Sequence, residues 1–137
     1  MKLSLCTGVF LVMSHCTIGQ NLEVIVKNVK NSKGVLMVGV FNSQKTFTRK
    51  AWGGQKPPAM TGTVKVTFND IPPGEYAISV YHDVNENGQL DSNFMGIPKE
   101  GFGFSNDVMG AFGPPTFEKA RFKYPTTQVV SVTLKYF

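Results

Sequence analysis

Residues 83 to 91 read Asp-Val-Asn-Glu-Asn-Gly-Gln-Leu-Asp, with an oxygen-bearing side chain at every second position, then a glycine, then a further carboxylate. Calcium takes six to eight oxygen ligands, and a chain wrapped closely around it presents alternate side chains, with glycine at the sixth position for the sharp bend. On that spacing Asp83, Asn85 and Asn87 offer side-chain oxygens, Gln89 its backbone carbonyl, and Asp91 a carboxylate that binds directly or through water. Position twelve, which carries a bidentate glutamate in an EF-hand, is Phe94 here. An EF-hand also needs flanking helices, whereas this motif is entered by a strand and left through a Gly-rich stretch, so it is not an EF-hand. The missing carboxylate must come from elsewhere, and of Glu86, Glu100 and Asp107, Glu100 ranks first. The expectation is a calcium loop built from Asp83, Asn85, Asn87, Gln89, Asp91 and Glu100. The competing reading is that Asn87-Gly88 makes a type I′ turn and the acids only solvate it.

Other chemistries find less to work with. His82 would need a positioned nucleophile to act in acyl transfer, and Ser79, Ser92 and Ser105 lie in no Gly-x-Ser-x-Gly elbow. A lone histidine ending a core-facing strand is more often a structural residue. Asp91 and Glu100 could in principle form the carboxylate pair of a glycoside hydrolase. A hydrolase using Glu100, Asp91 or His82 is therefore the alternative class, and no catalytic residue is assigned. Phosphate cradles and dinucleotide fingerprints are absent.

The elements that must position such a loop begin after a leader. Met1-Lys2, the apolar run Leu3 to Met13 and the small residues Thr17 and Gly19 read as a secretory signal of residues 1–19. The run is too short, and too broken by Ser4, Thr7 and Gly8, to span a membrane core that needs about 20 residues. Cleavage before Gln20 removes Cys6, His15 and Cys16, leaving an exported chain with no thiol and one histidine. Disulfide frameworks, cysteine zinc sites and thiol nucleophiles are then excluded. The full chain has 14 basic and 9 acidic residues. Its lysines are scattered from Lys27 to Lys135 without the clustered stripe that nucleic acid requires.

Residues 20–137 read as a single all-β domain. Leu22 to Lys27 is β-rich, Asn31 to Gly34 supplies turn chemistry, and Val35 to Phe41 is continuously apolar, as in a central strand covered on both faces. A loop follows, with one helical turn expected at Ser43 to Phe47. Val64, Val66 and Phe68 alternate with polar residues, Pro72-Pro73-Gly74 turns the chain, and Tyr76, Ile78, Val80 and His82 continue the inward set while Asp83 points out. Both turns are expected to close hairpins. Val130, Val132, Leu134 and Tyr136 make a last strand, five in all. Short strands, turn signals and no helix of about ten residues point to an antiparallel β-sandwich. Asp83 to Pro115 is the exception, a long Gly-rich loop for which Phe94, Phe102, Phe104 and Phe112, with Phe117 just beyond, argue against disorder, so that an ordered loop packed on its own side chains is expected.

The run from His82 to Asp91, then Met95-Gly96-Ile97-Pro98-Lys99-Glu100-Gly101-Phe102-Gly103-Phe104-Ser105-Asn106 and Phe112-Gly113-Pro114-Pro115, closely resembles the bacterial domain-of-unknown-function family 2141. That resemblance implies a secreted β-sandwich and no established activity. Separately, Phe68-Asn69-Asp70-Ile71-Pro72-Pro73-Gly74-Glu75-Tyr76 resembles the corresponding segment of prealbumin-like and collagen-adhesin B-type sandwiches, which act as stalks or binding modules. With the residues, these point to an exported, periplasmic or surface binding or structural module with a protein or glycan partner. The expected fold is immunoglobulin-like or prealbumin-like, and the expected cofactor is calcium.

Overall fold

The computed structural model describes residues 21–111 and 113–137. The expected signal segment, with Cys6, His15 and Cys16, lies outside the described residues, as does Phe112. Among the described residues there are eight strands: β1 (Leu22–Val29), β2 (Val35–Phe41), β3 (Gly53–Gln55), β4 (Gly62–Phe68), β5 (Gly74–Asp83), β6 (Phe102–Phe104), β7 (Phe122–Tyr124) and β8 (Val129–Thr133). They form a three-stranded sheet ordered β4-β1-β8 and a five-stranded sheet in which β3-β2-β5-β6 run side by side and β7 pairs the start of β5. All pairings are antiparallel except β1 with β8, which run parallel from Glu23↔Val129 to Lys27↔Thr133.

The two sheets meet through the alternate residues that the sequence marks as inward. Leu22, Val24 and Val26 of β1, with Val66 and Phe68 of β4 and Val130 and Val132 of β8, pack in one buried cluster with Leu36, Val38 and Val40 of β2 and Ile78 and Val80 of β5. This is an all-β sandwich with two sheets, as the pattern predicts. Fully burying an aliphatic side chain is worth about 1.5–3 kcal/mol each, so this cluster dominates the stability of the domain.

Two expected hairpins are absent. β1 and β2 lie in different sheets, and so do β4 and β5, so the Asn31–Gly34 and Pro72–Gly74 turns are corners between sheets rather than hairpin loops. The reason is that a two-residue period records only which side chains face the core. Strands that face it from opposite sheets alternate as faithfully as strands paired within one sheet. The second corner is fastened by Tyr76, whose buried ring directs its hydroxyl to donate to the Pro72 carbonyl at 2.6 Å.

The outer face of the five-stranded sheet carries a second cluster of Phe41, Phe47, Ala77, Phe104, Phe117 and Ala120. The expected turn at Ser43 forms, with the Phe47 N–H donating to the Ser43 carbonyl at 3.0 Å. The only α-helix among the described residues is α1 (Phe117–Ala120), and no helix there is long and apolar enough to cross a membrane. The expected long loop from Asp83 is interrupted by β6 and a 3₁₀ turn at Ser105–Asp107, docked where the buried Ser105 hydroxyl accepts the Ile78 N–H at 2.9 Å.

Candidate functional site

Asp83 is the last residue of β5. By strand alternation His82 faces the core and Asp83 the opposite side, as expected, yet both are buried, because the chain beyond Asp83 folds back over its carboxylate. One carboxylate oxygen accepts the Asn87 N–H at 3.2 Å and the other the Gly88 N–H at 2.7 Å. Glu86 has φ 55° and Gly88 φ 75°, both left-handed, and these close the coil around Asp83. Asn87 between them is not left-handed, so the type I′ turn, which needs positive φ at both Asn87 and Gly88, is not the conformation of this segment.

The other expected ligands gather on the same coil. The Asn85 amide donates to Asp91 Oδ2 at 2.8 Å, and the Asn87 amide to Asp91 Oδ1 at 2.8 Å and Oδ2 at 3.0 Å. Asn87 Oδ1 in turn accepts the Gln89 N–H at 3.0 Å. Glu100, buried and nine residues beyond Asp91, accepts the Val84 N–H through Oε1 and the Asp91 N–H through Oε2, each at 3.2 Å. The two remaining carboxylate candidates lie apart: Glu86 is exposed, and Asp107 accepts the Thr133 N–H at 2.9 Å on another edge. The hydrogen bonds from Asn87, then Asn85, hold the Asp91 carboxyl below its ordinary range, with Lys99 adding a smaller pull the same way.

Among the described residues no three His, Cys, Asp or Glu side chains come together as a metal-ligating group. The loop instead combines carboxylates with the amides of Asn85 and Asn87. A half-turn about one bond exchanges an amide's nitrogen and oxygen, so the groups that donate to Asp91 could instead offer oxygens to an ion beside it. Oxygen-only donors of this kind suit a hard cation such as calcium.

His82 is held on the core side by both ring nitrogens. Nε2 lies 2.6 Å from the Lys33 carbonyl, which can only accept, and Nδ1 lies 2.9 Å from the Tyr136 hydroxyl, which also accepts the Lys30 N–H at 3.0 Å. The ring thus joins the first corner, the end of β5 and the C-terminal segment.

Two residues that the pattern does not single out complete the site. Gly34, with φ 71°, brings the first corner so close to the start of the loop that a Cβ there would lie 2.1 Å from the Asp83 carbonyl. Tyr81 donates its hydroxyl to the Gly88 carbonyl at 2.9 Å, and burial, then the charges of Asp83 and Glu100, push its ionisation above the usual tyrosine value. Gly34 reads in the sequence only as turn chemistry, and Tyr81 only as an outward strand residue.

Residues 24–133 match a family described as "Uncharacterized protein conserved in bacteria (DUF2141)". The chain belongs to this family. Neither the curated proteins nor the solved structures gave a match. The match takes in both sheets, the 83–100 coil and the segment that follows it, so this DUF2141 chain carries the coil as part of its family domain rather than as an appendage.

Proposed function

We propose that this DUF2141 chain is an exported binding module, not an enzyme, whose 83–100 coil is set in one shape by a calcium ion. The observation that carries the reading is the convergence of Asp83, Asn85, Asn87, Asp91 and Glu100, taken from 18 residues of sequence, onto one hydrogen-bonded coil at the end of β5. Glu100 anchors the backbone, Asp83 both anchors it and supplies the first ligand, and Asp91 with the two amides and the Gln89 carbonyl supplies the others. With no carboxylate at position twelve, affinity is expected on the order of 10⁻⁴ to 10⁻³ M, the range of extracellular calcium modules. The hydrolase alternative receives less support, because His82 is committed through both nitrogens on the core side and both Glu100 oxygens face backbone N–H groups.

The test is calorimetric titration of calcium into chelator-treated protein, with magnesium as control. Heat that saturates in the millimolar range with calcium supports the reading, and its absence refutes it. Export is checked by intact mass: the protein recovered from outside the cytoplasm should lack residues 1–19, and retention of Cys6 or Cys16 would refute that part.

A further inference from the structure

The outer face of the five-stranded sheet has a row with almost no side-chain bulk. Antiparallel partners share a face, and across β3, β2 and β5 the partners Gly54↔Gly39↔Ser79 put two glycines and a serine side by side. The next row, Met37↔Tyr81↔Phe102, stands higher, and beyond Ser79 the bare row ends at Phe104. The sheet is therefore floored low here, with the Phe41 ring leaning over Gly39 so that an added Cβ would lie 2.9 Å from its Cε2, and two adjoining open clefts of about 350 Å³ and about 950 Å³ lie along it, sharing Thr48, Ser79 and Tyr81. Volumes of this order are those of small-molecule sites.

The two ends differ in chemistry. The smaller cavity, over Gly39 and Gly54, is rimmed by Arg49 and Lys56, and neither cation has an ion-pair partner among the described residues. The larger is walled by Phe102, Phe104, Met109, Leu90, Met95 and Ile97. Among the described residues no Asp or Glu side chain lines either one, and the last residue, Phe137, borders only the larger. At their junction Thr48 has φ 61°, a left-handed conformation that a β-branched residue holds only where its surroundings impose it, and one that gathers at ligand sites. From β3 to β6 the trough crosses three strand spacings, about 14 Å.

We infer that this trough binds a single-chain anionic amphiphile, its carboxylate or equivalent anion on Arg49 and Lys56 and its hydrocarbon chain laid over Ser79 against Phe102, Phe104 and the 90–97 wall. The inference rests on the reading of the chain as a binding module but not on the calcium ion. Two isolated cations facing no acid select an anion, and the apolar far end selects a tail rather than a sugar or a second charge.

The experiment is calorimetric titration of decanoate, below its micelle concentration and in chelator, into the whole exported protein, with decanol and decyltrimethylammonium as comparison ligands. Decanoate should saturate one site, decanol should bind about tenfold or more weakly for want of charge-assisted hydrogen bonds, and decyltrimethylammonium should not bind. The Arg49→Glu/Lys56→Glu double variant, whose changes are on exposed side chains, should lose decanoate by a similar factor while melting as the wild type does. Ser79→Leu should weaken both decanoate and decanol by raising the floor. Equal affinity for decanoate and decanol, unchanged affinity in the double variant, or binding to anionic vesicles without binding to monomeric decanoate would each overturn the inference. Because every titration is done in chelator, decanoate binding without a calcium response would sink the ion and leave the trough standing, and the converse result would do the reverse.

Discussion

Replacing Asp83 by alanine separates the two roles that the coil assigns to it. In chelator the carboxylate accepts two backbone N–H groups, from Asn87 at 3.2 Å and Gly88 at 2.7 Å, while itself 1% exposed. A hydrogen bond to a charged acceptor is worth about 1.5–3 kcal/mol. Asn87 and Gly88 are exposed, so water replaces part of what they lose, and the net cost expected is about 2–3 kcal/mol. In calcium the wild type gains RT ln(1 + [L]/Kd), and for several millimolar ion against a constant of 10⁻⁴ to 10⁻³ M this is about 1–2 kcal/mol, or a melting rise of several degrees. Asp83→Ala should melt lower in chelator and show almost none of that rise, since water cannot replace the charge of the first ligand. Glu86→Ala, which alters an exposed side chain of the same coil, should remove less of the rise. Thermal melting of the three proteins in chelator and in calcium reads both effects. Identical wild-type melts in the two buffers, or a full calcium response retained in Asp83→Ala, would refute the reasoning.

Ile78→Ala and Leu134→Ala, both at fully buried positions of one cluster, should each cost about 2–5 kcal/mol in chemical denaturation, whereas Lys65→Ala, which loses only an exposed ion pair with Glu23, should cost under about 1 kcal/mol. The Asp91 carboxyl should titrate below its ordinary value of 3.8 by NMR in chelator, and Asn87→Ala should move it back up. Because its pKa is lowered by folding, Asp91 stabilises the fold above the unfolded value, and that contribution is lost as the pH falls through the folded one. A midpoint at or above 3.8 in the wild type would contradict the hydrogen-bond geometry. Gly34→Ala should lower the melting temperature and expose the 83–91 amides to hydrogen exchange, since the added methyl meets the Asp83 carbonyl and the Val84 backbone. Unchanged exchange there would mean that the corner does not brace the coil.

What the sequence made legible was the set of groups that share an environment, and what it hid was which neighbours they pair with. Val66, Phe68, Ile78, Val80, Val132 and Leu134 do share one core, as their common period predicts. The same period could not reveal that β4 and β5 approach that core from opposite sheets, or that β8 joins β1 in parallel. β3, β6 and β7 were missed because three residues are too few to show a period, and β3 is Gly-Gly-Gln. Their order comes from the strands beside them. Asp83 was placed correctly by parity on the outward side, but outward is not exposed when the chain returns over it. Phe94 departs from the expectation that the aromatics of this region are packed: it is 98% exposed, while Phe102 and Phe104 lie ring to ring at 6.1 Å.

The coil was legible because the groups that build it are local: alternate residues of a tightly wound chain face the centre of the winding, so spacing alone brings Asp83, Asn85, Asn87 and Asp91 together. Glu100 follows less directly, since nine residues separate it from Asp91 and only the β5–β6 pairing returns the chain to it, with the His82 N–H donating to the Gly101 carbonyl at 2.7 Å. The trough was not legible at all, because its floor is made by partners 15 and 40 residues from Gly39, namely Gly54 and Ser79, whose small size means nothing until the register sets them side by side. Tyr81 joins the two regions: its ring borders both cavities and its hydroxyl holds the Gly88 carbonyl. The chain's own hydrogen bonds therefore tie the coil to the residue that walls the trough, with or without an ion, and the 90–97 segment that walls its far end starts from the same coil at Asp91, whose carbonyl accepts the Lys99 N–H at 2.7 Å. On the proposed reading the coil is a brace for a binding surface rather than a reaction centre. That division accounts for the burial of its anchoring carboxylates, Asp83 and Glu100, while the apolar side chains of Met95 and Ile97 stay exposed.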